Sequence, residues 1–202
     1  MFRAALEGLL DLLAPPRCPG CDVTNDWGTD GFCEVCHPLL EPRSSGPALY
    51  DYGGPMAEAI RRLKYGGRTD VVAPLAELLR AAANRHRGKV DAVVPVPLHL
   101  QRLAERGFNA PELLSVALAA DLGVPVDIRC LSRTRPTPPQ ASLKEAERDA
   151  NVRGAFVAQG PPRRVLLVDD VRTTGSTMRA AAGALHRAGA AQVRMLTLAA
   201  TP

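Results

Sequence analysis

The thirteen residues from Val165 to Thr177 constrain the fold more than any other stretch of the chain. Val165, Leu166, Leu167 and Val168 form an unbroken apolar run, the pattern of a strand buried on both faces of a sheet. Asp169 and Asp170 follow where such a strand emerges. Thr173, Thr174, Gly175, Ser176 and Thr177 then make a hydroxyl-rich turn into a helix over Thr177–Ala188. In an open parallel sheet, ligands bind outside the carboxyl ends of the strands. The amides of the turn and the helix N-terminus make a nest for a phosphate, and the hydroxyls add donors. The two aspartates can accept hydrogen bonds from vicinal hydroxyls or help hold a hydrated magnesium ion. A sugar bearing both a phosphate and a free diol satisfies both halves. A capped helix behind a core strand accounts for the threonines, but not for adjacent aspartates at a strand exit. The segment is not a Walker P-loop, because the glycine count is wrong and no lysine follows.

The rest of the chain alternates in the same way. The pattern predicts an edge strand over Ala48–Tyr52 and a helix over Pro55–Tyr65 that ends at Gly66-Gly67. A second helix is expected over Val71–Arg85, and a buried strand over Val90–Val94 closed by Pro95-Val96-Pro97. A third helix, Pro111–Leu122, precedes a short strand over Val124–Ile128, and Val193–Ala199 reads as the last strand. This order predicts an α/β fold with a mostly parallel sheet and flanking helices. No run of about 18 apolar residues exists, so no membrane-spanning helix is expected.

Four cysteines mark a separate module. Cys18-Pro19-Gly20-Cys21 and Cys33-Glu34-Val35-Cys36 are two C-x-x-C knuckles separated by eleven residues. Two knuckles can complete a tetrahedron of thiolates around zinc. The stretch between them is short of apolar residues, and a bound metal supplies the folding energy it lacks. A disulfide pair is the rival, and a cytosolic chain would not keep one. A redox dithiol fits two matched pairs poorly. With four thiolates and no open position, such a zinc site is structural. His37 is a spare ligand, and Cys130 reads as a small buried hydrophobe.

Ahead of the knuckles, Phe2, Leu6, Leu9, Leu10 and Leu13 form one apolar stripe on a short helix, stopped by Pro15-Pro16. Glu7 and Asp11 interrupt it, which argues against a signal peptide and for a cytoplasmic protein. Residues 1–46 hold three basic and seven acidic side chains, a net of −4, whereas the remainder carries a net of +8. This asymmetry suggests two modules: an N-terminal helix and cysteine module over residues 1–45 and a larger domain over 46–202, joined near Glu41–Pro47. The basic domain is expected to meet anions, either phosphates on a small molecule or a nucleic-acid backbone.

Residues Val165–Thr177 resemble the ribose-phosphate signature of type I phosphoribosyltransferases. The whole chain is similar to the ComF/GntX branch of that superfamily, the competence protein ComF-like proteins. The paired knuckles carry the resemblance, together with Leu63-Lys64-Tyr65-Gly66-Gly67, Val94-Pro95-Val96-Pro97, Arg106-Gly107-Phe108-Asn109, Gln140, Arg148, Asn151-Val152 and Gly154-Ala155-Phe156. The resemblance implies binding of phosphoribosyl pyrophosphate with magnesium and displacement of pyrophosphate by a nitrogen nucleophile. It places Asp169 and Asp170 on the ribose hydroxyls and Thr173–Thr177 on the 5′-phosphate. Pro95, Val96 and Pro97 fall in the pyrophosphate loop, where a cis peptide is conceivable, with Arg106 as a candidate pyrophosphate ligand. Residues 129–164 form the candidate hood loop, with a net charge of +5. There Arg133, Arg135 and Gln140 are candidates for reaching pyrophosphate or nucleophile. Thr173 stands where 6-oxopurine salvage members carry an aspartate, so that acceptor chemistry is not expected.

Three functions follow from the resemblance. The first is a phosphoribosyltransferase acting on an unknown acceptor, linked to DNA uptake in natural competence. The second is a non-enzymatic competence factor that binds single-stranded DNA and a helicase partner, its nucleotide pocket vestigial or sensory. The third, a ligand-gated regulator, trails for want of a helix-turn-helix. The sequence leaves a homodimer open.

Overall fold

The computed structural model describes residues 15–24, 31–135, 152 and 154–201. The amphipathic stripe of residues 2–13 and the candidate ligand Gln140 lie outside these residues, as do Lys144, Arg148, Asn151 and Arg153. Four parallel strands form the central sheet: β1 (Ala48–Asp51), β2 (Ala92–Pro95), β5 (Arg164–Arg172) and β6 (Gln192–Ala200), in the order β1-β6-β5-β2. The helices are α1 (Gly54–Gly66), α2 (Val72–Asn84), α3 (Leu100–Arg106), α4 (Ala110–Leu122) and α5 (Ser176–Arg187). The expected α/β architecture is therefore present.

Side-chain alternation along the strands divides the core into two layers. Val93, Leu166, Val168, Leu196 and Leu198 pack with α1, α2 and α4, through residues such as Ile60, Leu63, Leu75, Leu79, Leu114 and Leu118. Val94, Val165 and Leu167 face the other way, onto Met178, Ala181 and Leu185 of α5. β5 is central and buried on both faces, which explains its unbroken apolar run. The same period of two sends Asp169 and Asp170 to opposite faces of the sheet.

The helices end where the sequence provides a stop. Gly67 turns left-handed at φ 65° and caps α1, and Gly123 does the same for α4 at φ 69°. Pro55 and Pro111 open the same two helices in the first turn, where a missing N–H costs nothing.

Several expectations need correction. β5 does not end at Val168. It continues through both aspartates to Arg172, with Asp169 opposite Thr197 and Arg172 opposite Ala200. Val124–Ile128 is not a strand, because it makes only one parallel bridge, Val126 to Val93. Pro125 has no N–H to extend that ladder. Pro95, Val96 and Pro97 contain no cis peptide. The candidate hood loop is not irregular at its ends: β3 (Leu131–Arg133) and β4 (Phe156–Ala158) form an antiparallel pair on α5.

Both edges of the main sheet are covered by chain. Along β1, the Arg43 N–H donates to the Leu49 carbonyl at 2.7 Å and the Asp51 N–H to the Glu41 carbonyl at 2.8 Å. Along β2, Val93 donates to the Pro125 carbonyl at 3.0 Å and accepts from the Asp127 N–H at 2.9 Å. The expected linker thus begins as a short pairing segment. The cysteine module joins the larger core, since Cys18, Phe32, Cys36 and Leu40 share one apolar cluster with Met56, Ile60 and Leu63 of α1.

Candidate functional site

The carboxyl ends of β2 and β5, the start of α5 and the end of α1 surround a cavity of about 300 Å³. Asp169 and Asp170 lie on its floor, and both are buried, at 8% and 4% exposed. The two carboxylates are held by different partners. Asp170 Oδ1 lies 2.7 Å from Lys64 Nζ, in the last turn of α1. Asp169 Oδ1 accepts the Asp170 backbone N–H at 2.9 Å. Burial pushes the Asp169 carboxyl above the usual carboxylate range, and the Asp170 charge adds to this. Lys64 and Arg133 only partly oppose it. For Lys64, burial works against the ammonium, but the Asp170 and Asp169 charges outweigh it and raise the pKa.

The turn after β5 is built by Gly175, which adopts φ 79° at the head of α5. That positive φ disfavours any side chain, and a Cβ there would in addition push on the movable Arg172 guanidinium, whose Nε would lie 2.7 Å away. Thr173, Gly175 and Thr177 line the cavity. Thr174 and Ser176 bond to each other through their hydroxyls at 2.6 Å, and the Thr174 carbonyl accepts Arg179 Nη1 at 2.8 Å. Those contacts brace the turn.

The opposite wall comes from the segment after β2. Val96 and Pro97 line the cavity while Pro95 closes the strand, opposite Val168. The Val96 carbonyl accepts Asn109 Nδ2 at 3.1 Å, and the Val96 N–H donates to the Val168 carbonyl at 2.8 Å. Asn109 is buried and fixes this loop from the head of α4. Arg106 lines the cavity with its guanidinium 5.4 Å from the centre of the Tyr65 ring. Arg133 reaches the cavity from β3, its guanidinium 5.4 Å from the Phe156 ring centre. Burial lowers its pKa, and the Asp169 charge opposes that shift. Arg135 is exposed and does not line the cavity.

The structure adds residues that sequence reasoning did not place here: Lys64, Tyr65, His99, Arg102 and Arg172. Lys64 and Tyr65 belong to the Leu63–Gly67 motif and Arg172 to the Val165–Thr177 signature, but the sequence assigns none of the three a role of its own. The cavity therefore gathers Lys64, Arg102, Arg106, Arg133 and Arg172 against two aspartates, which suits a strongly anionic ligand. The Lys64 ammonium engages Asp170 through Oδ1, and the Asp170 amide engages Asp169 through Oδ1, so one contact is accounted for on each carboxylate.

The second candidate site is the cysteine cluster. The sulfurs of Cys18, Cys21, Cys33 and Cys36 all lie within 4.8 Å of one another, and Cys21 and Cys33 are 3.6 Å apart. A tetrahedron with metal–sulfur bonds of about 2.3 Å has edges near 3.8 Å, so the spacing fits one ion. Backbone amides of Cys36 and Val35 pull the Cys33 thiol down to about 7, whereas burial and the neighbouring sulfurs push the Cys36 thiol up, so the cluster divides between thiolate and thiol and it is the sulfur spacing that points to an ion. His37 is not part of the cluster. Gly20 permits the close approach, since a Cβ there would lie 2.8 Å from Pro55 Cβ and 3.0 Å from Cys36 Sγ. Arg62 of α1 donates to the Cys18 and Pro19 carbonyls at 3.4 and 3.3 Å, and Arg68 pairs with Asp22 at 2.7 Å. Cys130 is buried among apolar residues, as expected.

A parallel sheet whose central strand ends in paired acids and a glycine turn, under a basic cavity, is the arrangement of a phosphoribosyltransferase-type domain. Residues 114–202 match the phosphoribosyl transferase domain family. The chain is 37% identical to the DNA utilization protein YhgH of Escherichia coli (strain K12), with 94% of this chain and 99% of that protein covered. It is 34% identical to competence protein F of Haemophilus influenzae, with 91% of this chain and 84% of that protein covered. Among solved structures, orotate phosphoribosyltransferase from Aeropyrum pernix overlaps loosely, with a TM-score of 0.43 and 20% identity, covering 70% of this chain and 64% of that one. The chain belongs to the ComF/GntX family of phosphoribosyltransferase-domain proteins. Among the described residues, no helix is long and apolar enough to cross a membrane.

Proposed function

We propose that this chain binds phosphoribosyl pyrophosphate or a related ribose phosphate and transfers the phosphoribosyl group to a nucleophile, in the service of DNA use or uptake. Asp169 and Asp170 accept the ribose hydroxyls, and the turn from Thr173 to Thr177 receives the 5′-phosphate. Val96-Pro97, Arg106 and Arg133 face the pyrophosphate, whose departure these cations assist by stabilising the charge that develops. Magnesium arriving with the ligand would offset charge on its phosphates, beside Asp169 and Asp170. Zinc on the four cysteines is structural, fixing the two knuckles Cys18–Cys21 and Cys33–Cys36 against α1. The domain division at residue 45 belongs to the same reading.

The observation that carries this proposal is the pair of buried aspartates beside the Gly175 turn, in a cavity rich in cations. A thermal-melt screen tests it. Phosphoribosyl pyrophosphate should raise the melting temperature by mass action, as a ligand of the folded state does, and nucleotides without a free diol should not. Asp170→Asn should abolish the shift and any release of pyrophosphate. Equal shifts in both proteins would overturn the assignment.

The names of the relatives, a DNA utilization protein and a competence protein, favour a second reading in which the protein acts on DNA, with the pocket sensory or vestigial. Single-strand binding that weakens steeply with salt, and survives Asp170→Asn, would select it.

A further inference from the structure

We propose that His99 acts in the transfer as a fixed hydrogen-bond donor and not as a base: a neutral imidazole with its proton held on Nε2, which it offers to the departing pyrophosphate. The inference rests on the ribose-phosphate reading above and adds a catalytic group to it.

α3 is an element that core burial does not explain. None of its residues is buried, and Leu100 is 75% exposed. What it offers the cavity is polar. His99, Arg102 and Arg106 follow one another at spacings of three and four, which aligns them along one side of the helix. All three line the cavity. Arg102 stands close enough to Arg133, and Arg106 to Lys64, for their charges to oppose each other. An anion on this wall relieves both repulsions.

The imidazole is anchored on one side. The His99 carbonyl accepts the Leu103 N–H at 2.9 Å, and His99 Nδ1 accepts the Gln101 N–H at 3.3 Å as the cap of α3. An imidazolium carries a proton on each nitrogen and cannot accept, so this contact requires the neutral ring with its proton on Nε2. Among the described residues Nε2 has no protein partner, which leaves it as the one polar atom of the ring available to a ligand. Such a ring cannot take the proton of the nucleophile, because its lone pair is turned back to the Gln101 amide. In the transfer the proton stays on Nε2, and the hydrogen bond offsets the charge gathering on the pyrophosphate.

Two substitutions separate the two sides of the ring. Asparagine is a good N-cap, so His99→Asn keeps the contact to Gln101 and loses the far donor. Glutamine caps poorly but carries an N–H about as far out as Nε2, so His99→Gln keeps the far donor. The zinc-loaded full chain is titrated calorimetrically with inorganic pyrophosphate in magnesium buffer. His99→Asn should bind about tenfold more weakly than wild type, a difference of about 1.4 kcal/mol, and His99→Gln should recover all but about threefold of this. Inorganic phosphate, which needs only the turn after β5, should not separate the variants. The reverse order of the two variants, or wild-type affinity for pyrophosphate in His99→Asn, would reduce His99 to a helix cap. Wild type that binds ribose 5-phosphate but not pyrophosphate would also overturn the role of His99, whereas failure to bind either would overturn the ribose-phosphate reading itself. If a variant does not fold, nitrogen NMR of the wild-type imidazoles decides: His99 should show a protonated Nε2 and a bare Nδ1, and the opposite tautomer or a doubly protonated ring would refute the proposal.

Discussion

Gly20→Ala should destabilise the protein and loosen metal at the cysteine cluster, although alanine is a small change at an ordinary backbone conformation. The φ of Gly20 is not left-handed, so the penalty is steric. The added methyl would lie 2.8 Å from Pro55 Cβ and 3.0 Å from Cys36 Sγ. That is roughly 0.7 Å inside ordinary carbon–carbon contact. Neither neighbour can move cheaply. Pro55 opens α1, whose Met56, Ala59, Ile60 and Leu63 are buried in the core. Cys36 is itself buried and belongs to the sulfur cluster. Overpacking of this kind costs about 1–3 kcal/mol. For a chain of this length it corresponds to a fall in melting temperature of roughly 2–4 °C per kcal/mol. The assay is a thermal melt of zinc-loaded protein, paired with the rate of zinc loss to a chromogenic chelator. Gly66→Ala is the control: its Cβ would meet only Arg68 Cγ, at 3.7 Å, so the helix should be unharmed or slightly stabilised. Equal melting temperatures and equal chelator rates for Gly20→Ala and wild type would refute the packing of the first knuckle on α1.

Asp169 should make stability depend on pH in a direction unusual for a carboxylate. Its folded pKa is raised by burial and by Asp170, so the stability it contributes at low pH is lost as pH rises above the ordinary carboxylate range. Asp169→Asn should therefore gain melting temperature relative to wild type between pH 5 and about pH 8, and a constant difference across that window would count against it. Asn109→Asp should cost more than Asn109→Ala, because a carboxylate cannot donate to the Val96 carbonyl and meets it as a second buried acceptor. Chemical denaturation of the two variants should separate them by about 1 kcal/mol or more.

The parts of the fold legible in the sequence were those in which burial writes a period. The stripe Met56, Ala59, Ile60 and Leu63 has the spacing of one helix face, and the run Val165–Val168, short, β-branched at both ends and followed by a glycine turn, has the length of a strand buried on both sides. α3 was missed because none of its residues is buried, so Leu100–Arg106 has no apolar stripe. β3 and β4 are three residues each, too short for alternation to register, and they are set by their mutual pairing and by α5. In the site, the acids and the hydroxyl turn were legible because they are contiguous. Lys64 was not, since its partner lies more than a hundred residues away in the chain and only the topology brings α1 to the end of β5. Gln140 falls outside the described residues.

The coverage of both sheet borders has a consequence for assembly. Open strand margins invite continuation into a neighbouring molecule, by swapping or by fibre growth. Here Glu41–Arg43 takes the outer side of β1, and Pro125–Asp127 takes that of β2. Self-association by direct pairing onto β1 or β2 is thereby disfavoured. Among the described residues, the helix faces and the β3–β4 ribbon are the surfaces left for contact between copies, and both lie apart from the sheet borders.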